Sequence, residues 1–347
     1  VPGIGAARLR TLVAAFGGPG AAIQAPHGAL AALPGFGRAA ATAVRGARLE
    51  TAARILEALD RLGARALLPE DEGFPGLLRE IADPPTALFV WGRAEQLARP
   101  AVAMVGSRDH TAYGAAAARL LAGGVARAAV VVSGMARGLD AIAHAAALDA
   151  GGGSIGVLGN GFGVVYPAAN RALYDRMVRD GCLVTELPPG ERPFVGTFPR
   201  RNRLIAGLAR VTVVLEAAPD SGAILTADRA LDQGRTVLAV PGPITSRTSL
   251  GCNRLIQQGA KPALSVEDVL DELGLALPAA AAPNPERSLD DLTAVQRRVW
   301  DALAVRRHVD ALVATCGAAP GDVLTALTEM EIRGLVRQDA GMVFERV

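Results

Sequence analysis

Val102-Ala103-Met104-Val105-Gly106-Ser107-Arg108, then Val130-Val131-Val132-Ser133-Gly134-Met135-Ala136-Arg137-Gly138-Leu139-Asp140, decide the fold class. Each stretch is an unbroken apolar run that stops at a glycine-containing polar turn and leads into a helical pattern. An apolar run without polar alternation suits a strand covered on both faces, as in a parallel sheet flanked by helices. Four more runs repeat the theme: Ile155-Gly156-Val157-Leu158, Leu183-Val184-Thr185, Val211-Thr212-Val213-Val214-Leu215 and Thr236-Val237-Leu238-Ala239-Val240. Strands alternating with helices predict a doubly wound α/β core over residues 63–277. In that architecture ligands bind outside the carboxyl ends of the strands.

Working outward, residues 1–62 read as all-helical. Two similar segments, Val1-Pro2-Gly3-Ile4-Gly5 and Leu33-Pro34-Gly35-Phe36-Gly37, each enter a helix. Such turns are either the hairpins of a helix-hairpin-helix (SAM-like) unit, whose glycines let a phosphate approach a helix N-terminus, or plain tight turns between helices. Beyond the core, Pro278, a run of four Ala, Pro283, Asn284 and Pro285 mark residues 278–288 as a linker. Residues 289–347 then predict three helices, through Val299, Val309 and Val323, the last ending at Gly334. A hairpin from Leu335-Val336-Arg337 to Met342-Val343-Phe344 completes a winged-helix outline, a module that contacts nucleic acid or protein.

Half of the 347 residues are apolar and 20% are charged, which predicts packed domains rather than disorder. The net charge of +2 is too small to identify a partner, so any cationic surface must be local. Lys261 is the single lysine among 36 basic residues, a bias consistent with genome composition. Cys182, Cys252 and Cys316 are widely separated, with no C-x-x-C spacing and no nearby histidine pair. That argues against a zinc site or a disulfide framework and fits a reducing compartment. No apolar run reaches the roughly 18 residues of a membrane span, and the first residues lack signal-peptide features. The expectation is a cytoplasmic protein without metal or cofactor.

The strand-end turns carry the chemistry. Gly106-Ser107-Arg108 offers a close backbone approach, a hydroxyl and a guanidinium fork at the start of a helix. Ser133, Gly134, Arg137 and Gly138 repeat that arrangement, and Ser221-Gly222 opens a helix carrying Thr226. Neither of the first two turns is G-x-G-x-x-G, and no acid follows at ribose-binding spacing, so a dinucleotide site is poorly supported. Phe198-Pro199-Arg200-Arg201-Asn202-Arg203 is the densest basic stretch of the core, joining three arginines to a ring that can stack on an unpaired base. Asp140 and His144 are four residues apart on a predicted helix. With no further ligand nearby, hydrogen bonding between helix and loop explains them better than a metal. No catalytic constellation is present.

In order and spacing, these segments resemble the DNA-processing protein A (DprA, Smf) family. The resemblance rests on Val105-Gly106-Ser107-Arg108 with Thr111 and Tyr113-Gly114, and on residues 133–140 with Ala143-His144. It extends through Val157-Leu158-Gly159, Tyr166-Pro167, residues 198–208, Glu216-Ala217 with Ser221-Gly222 and Thr226, and residues 239–242. The resemblance implies a Rossmann-like, non-catalytic protein that binds single-stranded DNA, dimerises and loads RecA recombinase during natural transformation. It implies that Arg108 and the stretch Arg200, Arg201, Asn202 and Arg203 hold phosphates, with Phe198 against a base. Gly106, Ser107, Ser133, Gly134, Arg137, Gly138, Ser221, Gly222 and Thr226 would shape the site. Some relatives have a basic residue where this chain has Val195; that contact is either lost or supplied by another arginine such as Arg200. The dimer face is placed after the sixth run, around Leu255, Ile256 and Leu264. The competing reading is a phosphoribohydrolase-like enzyme on a similar core. Residues 217–226 lack the paired glycines and the glutamate which that chemistry requires.

Overall fold

All six apolar runs form strands, and each is buried throughout except for Thr236 at the start of the last. In a computed structural model the described residues are 3–277, 292–332, 335–339 and 341–346. The expected linker and Gly334 lie outside them. The chain opens with five helices, α1 (Ala6–Phe16), α2 (Pro19–Gln24), α3 (His27–Ala31), α4 (Arg38–Arg45) and α5 (Leu49–Leu62). Leu12, Leu30, Ala41 and Val44 make a small core there, with Ile4 and Phe36 of the two Gly-x-Gly turns packed against it.

The central sheet has nine strands in the order β1-β2-β6-β5-β4-β3-β7-β8-β9. The six expected ones are β3 (Ala101–Val105), β4 (Val130–Ser133), β5 (Ser154–Val157), β6 (Cys182–Thr185), β7 (Val211–Val214) and β8 (Thr236–Ala239). They pair in parallel, with Val102 opposite both Val131 and Val211. Three short strands extend the sheet: β1 (Ala64–Leu67) and β2 (Leu88–Gly92) join antiparallel beside β6, and β9 (Lys261–Pro262) closes the other edge.

Because side chains alternate across a strand, the unbroken apolar runs feed two cores at once. Ala103 and Val105 face the layer that contains Leu204 and Ala227, whereas Val102 and Met104 face Ala118 and Ala143. The helices involved are α7 (Ala112–Val125), α8 (Leu139–Asp149), α9 (Arg171–Asp180), α10 (Thr197–Gly207), α11 (Gly222–Asp232), α12 (Leu250–Gln257) and α13 (Val266–Asp271), with the single turn α6 (Gly76–Arg79) before β2. Residues 1–278 form one compact unit and residues 279–347 a second.

The second unit contains α14 (Ala294–Ala302), β10 (Arg307–His308), α15 (Val309–Cys316), α16 (Pro320–Ile332), β11 (Val336–Asp339) and β12 (Val343–Arg346). Thr293 and Gln296 form a reciprocal capping box that starts α14. Val299, Leu312, Leu327 and Phe344 meet in its core, and the strands run β10-β12-β11. The expected three helices and hairpin are all present, with β10 as an added edge. No single helix among the described residues is long and apolar enough to cross a membrane.

Candidate nucleic-acid interface

The chain runs from β3 outward to β6 on one side and from β7 to β9 on the other, so strand order reverses between β3 and β7. The connections leaving their paired carboxyl ends turn to opposite faces of the sheet, and a cleft of about 730 Å³ opens at that point. Gly106, Ser107 and Arg108 form one wall, and Ser221, Gly222 and Thr226 at the start of α11 form the other. Phe198, Arg201 and Asn202 of α10 line its floor, and Tyr166, Phe194 and Val195 stand at its mouth. A second cavity of about 330 Å³ lies alongside, bounded by Gly134 and Arg137 and sharing Arg108, Tyr166, Phe198 and Arg201 with the first.

Sequence dictates these walls locally. A Cβ on Gly106 would lie 2.5 Å from Leu139 Cδ1, so only glycine lets α8 pack beneath the first turn. Gly138 has φ +82°, and a Cβ there would lie 2.5 Å from the Ser107 carbonyl, so the two strand-end turns touch through it. Ser221 caps α11 by accepting from the Ala223 amide, which points that helix's N-terminal amides at the cleft. The Arg108 guanidinium lies 5.8 Å from the centroid of the Phe198 ring, and the Tyr166 ring is 5.4 Å from the same ring. Among the described residues Arg108 has no carboxylate partner, so its charge faces the cleft unneutralised. The arrangement offers one free cation, exposed aromatic faces and helix-terminal amides, which together suit a polyanion carrying planar rings.

Under the floor lies a buried charged network. Arg201 Nη1 donates to the carbonyls of Gly134 and Val157, at 2.5 Å each. Burial lowers the Arg201 pKa to about 10, with Asp140 opposing the shift. Burial raises that of Asp140, while Arg201 and the backbone amides of Ala136, Gly134 and Gly106 oppose it. His144 accepts from the Met135 amide at 3.3 Å and shares a hydrogen bond with Ser154 Oγ at 2.7 Å. Asp140 and His144 each bond to the turn after β4.

Burial and then Arg201 lower the His144 pKa from its ordinary 6.5 to about 3. Between those values the unfolded chain binds a proton that the folded chain refuses. Its contribution to stability is complete above pH 6.5 and falls as pH drops toward 3, by up to about 1.4 kcal/mol per pH unit. Asp140 acts in the opposite sense in acid, so the effect is read as a difference between the wild type and His144→Gln. Urea midpoints at about pH 7 and pH 5 should fall more steeply in the wild type. Equal slopes would mean that His144 does not titrate this way.

Several expected residues lie elsewhere. Ser133 is fully buried and donates its hydroxyl to the Met104 carbonyl at 2.6 Å, so it braces β3 against β4 and lines neither cavity. Arg203 is buried against Glu186 and Asp83, and Arg200 pairs with Glu186 at 2.9 Å. Neither lines the cleft, because positions 200 and 203 share the opposite face of α10 from Phe198 and Arg201. Arg200 therefore does not stand in at the position of Val195, which is 90% exposed at the cleft mouth. Arg137 lines the smaller cavity and pairs with Asp109 at 3.0 Å. Leu255 is buried in the protomer's own core and Ile256 packs against it, which removes Leu255 from a face open to a second copy; Leu264 is 68% exposed. Tyr166, Phe194 and Asp140 are cleft residues absent from the expected set. Pro193-Phe194-Val195-Gly196, an aromatic in a turn-forming segment, was the available signal for the second.

A switch-point cleft with a free arginine and stacked aromatic rings defines an open α/β ligand-binding protein of the Rossmann-like class, joined to a winged-helix unit. Residues 65–274 match the family described as DNA recombination-mediator protein A, and residues 283–342 match the DprA winged helix domain. The chain belongs to the DNA recombination-mediator protein A (DprA/Smf) family. It is 45% identical over 202 residues to the DNA processing protein DprA of Streptococcus pneumoniae, covering 58% of this chain and 72% of that one. The X-ray structure of DprA from that organism superposes with a TM-score of 0.66 at 38% identity, over 72% of this chain and 87% of the other. DNA processing protein A from Helicobacter pylori, whose structure was described for its single-stranded DNA binding mode, gives 0.55 at 28% identity, over 60% and 95%.

Proposed function

We propose that this chain binds single-stranded DNA in the switch-point cleft, without catalysis and without marked sequence preference. The observation that carries the reading is the unpaired Arg108 guanidinium over the Phe198 ring, with Tyr166 beside it. Phosphate and a π-face are present on every nucleotide, so a site built from a cation and rings accepts any base, and only unpaired bases can stack. The Asn202 amide, which could read a base edge, already donates to the Gly222 carbonyl at 3.4 Å. Glu216 and His144, potential proton carriers, are both buried and held by hydrogen bonds, which supports binding rather than chemistry. The likeness to the Helicobacter pylori protein supports the same ligand.

Family membership supports the wider role: a cytoplasmic homodimer that loads RecA recombinase onto DNA strands during natural transformation. The short edge strand β9 and the exposed Leu264 beside it support a dimer face there. Domain limits at 62/63, 277/278 and 288/289 put the binding cleft wholly in residues 63–277.

Titration of labelled single-stranded and double-stranded oligonucleotides at two salt concentrations tests the ligand. Single strands should bind more tightly, with affinity falling by a slope of about 0.7 per phosphate neutralised. Arg108→Ala should weaken single-strand binding by about 1.5–3 kcal/mol, the value of hydrogen bonds to a charged group. Unchanged affinity in that variant would move the site away from the cleft.

A further inference from the structure

The Gly-x-Gly turn that opens the chain has no function in the cleft, yet it faces a separate groove. That groove, about 510 Å³, is lined by Gly3, Gly5, Arg8, Arg10, Asp83 and Arg200. Behind it Arg203, over nine-tenths buried, contacts Asp83 and Glu186 and leaves its Nη1 without a hydrogen-bond partner. Arg10 approaches Asp83 only to 4.0 Å, and Arg8 bonds no acid, reaching the Gly3 carbonyl and the Phe36 ring instead. Three guanidinium groups thus share two carboxylates while Arg8 has none, and the groove keeps a positive excess.

Gly5 bares the start of α1 at this groove. It is the N-cap of α1, its φ of −87° is open to any residue, and no side chain caps the helix there. A Cβ at Gly5 would meet nothing within 4 Å, so neither backbone conformation nor packing calls for glycine. A bare N-cap leaves the first amides of an eleven-residue helix accessible beside three arginines. The matching turn at Gly35 and Gly37 has the same uncapped geometry but does not line the groove.

We infer that this groove is a second binding site, for the phosphodiester backbone of a DNA strand leaving the cleft. The inference rests on the reading of the cleft as a single-strand site. Continuity comes from α10, where Pro199 and Arg201 line the cleft and Arg200, between them, lines the groove. A strand crossing the first turn of α10 reaches both. The cleft holds rings and phosphate; the groove, with no exposed aromatic, holds phosphate alone.

The test uses the full chain with oligothymidylates of about five and about twenty nucleotides and a blunt duplex of the longer length. Arg10→Glu, with Arg10→Ala as the milder form, should leave the short oligonucleotide bound as in the wild type. It should weaken the long one about tenfold and reduce its salt slope by about 0.7. Undiminished binding of the long strand overturns the inference. Equal loss at both lengths also overturns it, by placing Arg10 on the cleft segment. Loss confined to the duplex overturns the single-strand source and gives the groove to duplex phosphates. Arg108→Ala, which should weaken both lengths equally, reports on the cleft independently of the groove.

Discussion

Arg201→Met should destabilise the first unit by about 3–5 kcal/mol, because it leaves Asp140 buried without its counter-charge. Arg201 is only 7% exposed, and its Nη1 ties the turn after β4 to the end of β5 through the Gly134 and Val157 carbonyls. Methionine fills much of the volume but returns neither the charge nor the two donors. Asp140, left with the backbone amides of Gly134, Ala136 and Gly106, must then either stay ionised in a desolvated site or take up a proton. Asp140→Asn in the same chain should therefore recover part of the loss, so that the double variant is more stable than Arg201→Met alone. Urea denaturation followed by Trp91 fluorescence in a Trp300→Phe background measures this, since Trp300 lies in the winged-helix unit. Strict additivity of the two substitutions would show that they do not interact. Single-strand affinity should fall as well, because Arg201 lines both cavities and its Nε has no protein partner.

The fate of residues 198–203 shows where sequence reading stops. A contiguous basic run looks like one patch, but a helix turns 100° per residue and divides it. Phe198, Arg201, Asn202 and Ile205 fall on the cleft side, whereas Arg200 and Arg203 fall on the side of Asp83 and Glu186. That division was available from spacing alone once α10 was assigned. The partners Asp83 and Glu186 were not, because nothing local brings them to α10. Strands β3 to β8 were legible because burial on both faces writes an unbroken apolar run. Strand β1 carries the exposed Arg65 among four residues, and β9 consists of Lys261 and Pro262, so neither has enough pattern to read. The winged helix was legible from periodicity and its terminal hairpin. Tyr166 reaches Phe198 from a loop, and loops follow no period that would have aimed it there.

Gly114→Ala should destabilise the same unit by about 2–4 kcal/mol, through overpacking and the loss of buried hydrogen bonds. A Cβ at Gly114 would overlap Glu216 Oε2 and lie 2.9 Å from its Cδ. Glu216 cannot step aside. Its carboxylate accepts from the Thr111 amide at 3.0 Å and the Thr111 hydroxyl at 3.2 Å, and Thr248 binds the other oxygen. Its carbonyl receives the Ser107 amide at 2.7 Å, so the residue fixes the turn that presents Arg108. Two other glycines on α7 calibrate the effect. A Cβ at Gly123 would find only the Ala146 carbonyl at 3.8 Å, so Gly123→Ala should stabilise the helix by about 0.5–1 kcal/mol. A Cβ at Gly124 would overlap Val266 Cγ2 and lie 3.0 Å from its Cγ1, so Gly124→Ala should be destabilising, with no direct effect on the cleft. Thermal melts of the three variants order these effects, and single-strand titration separates them. Only Gly114→Ala should lose affinity at temperatures where all three remain folded, because only its clash reaches the Ser107-Arg108 turn. If Gly124→Ala lost as much affinity as Gly114→Ala, general loosening of α7 would explain both. In that case Glu216 would not be the link between the helix and the cleft.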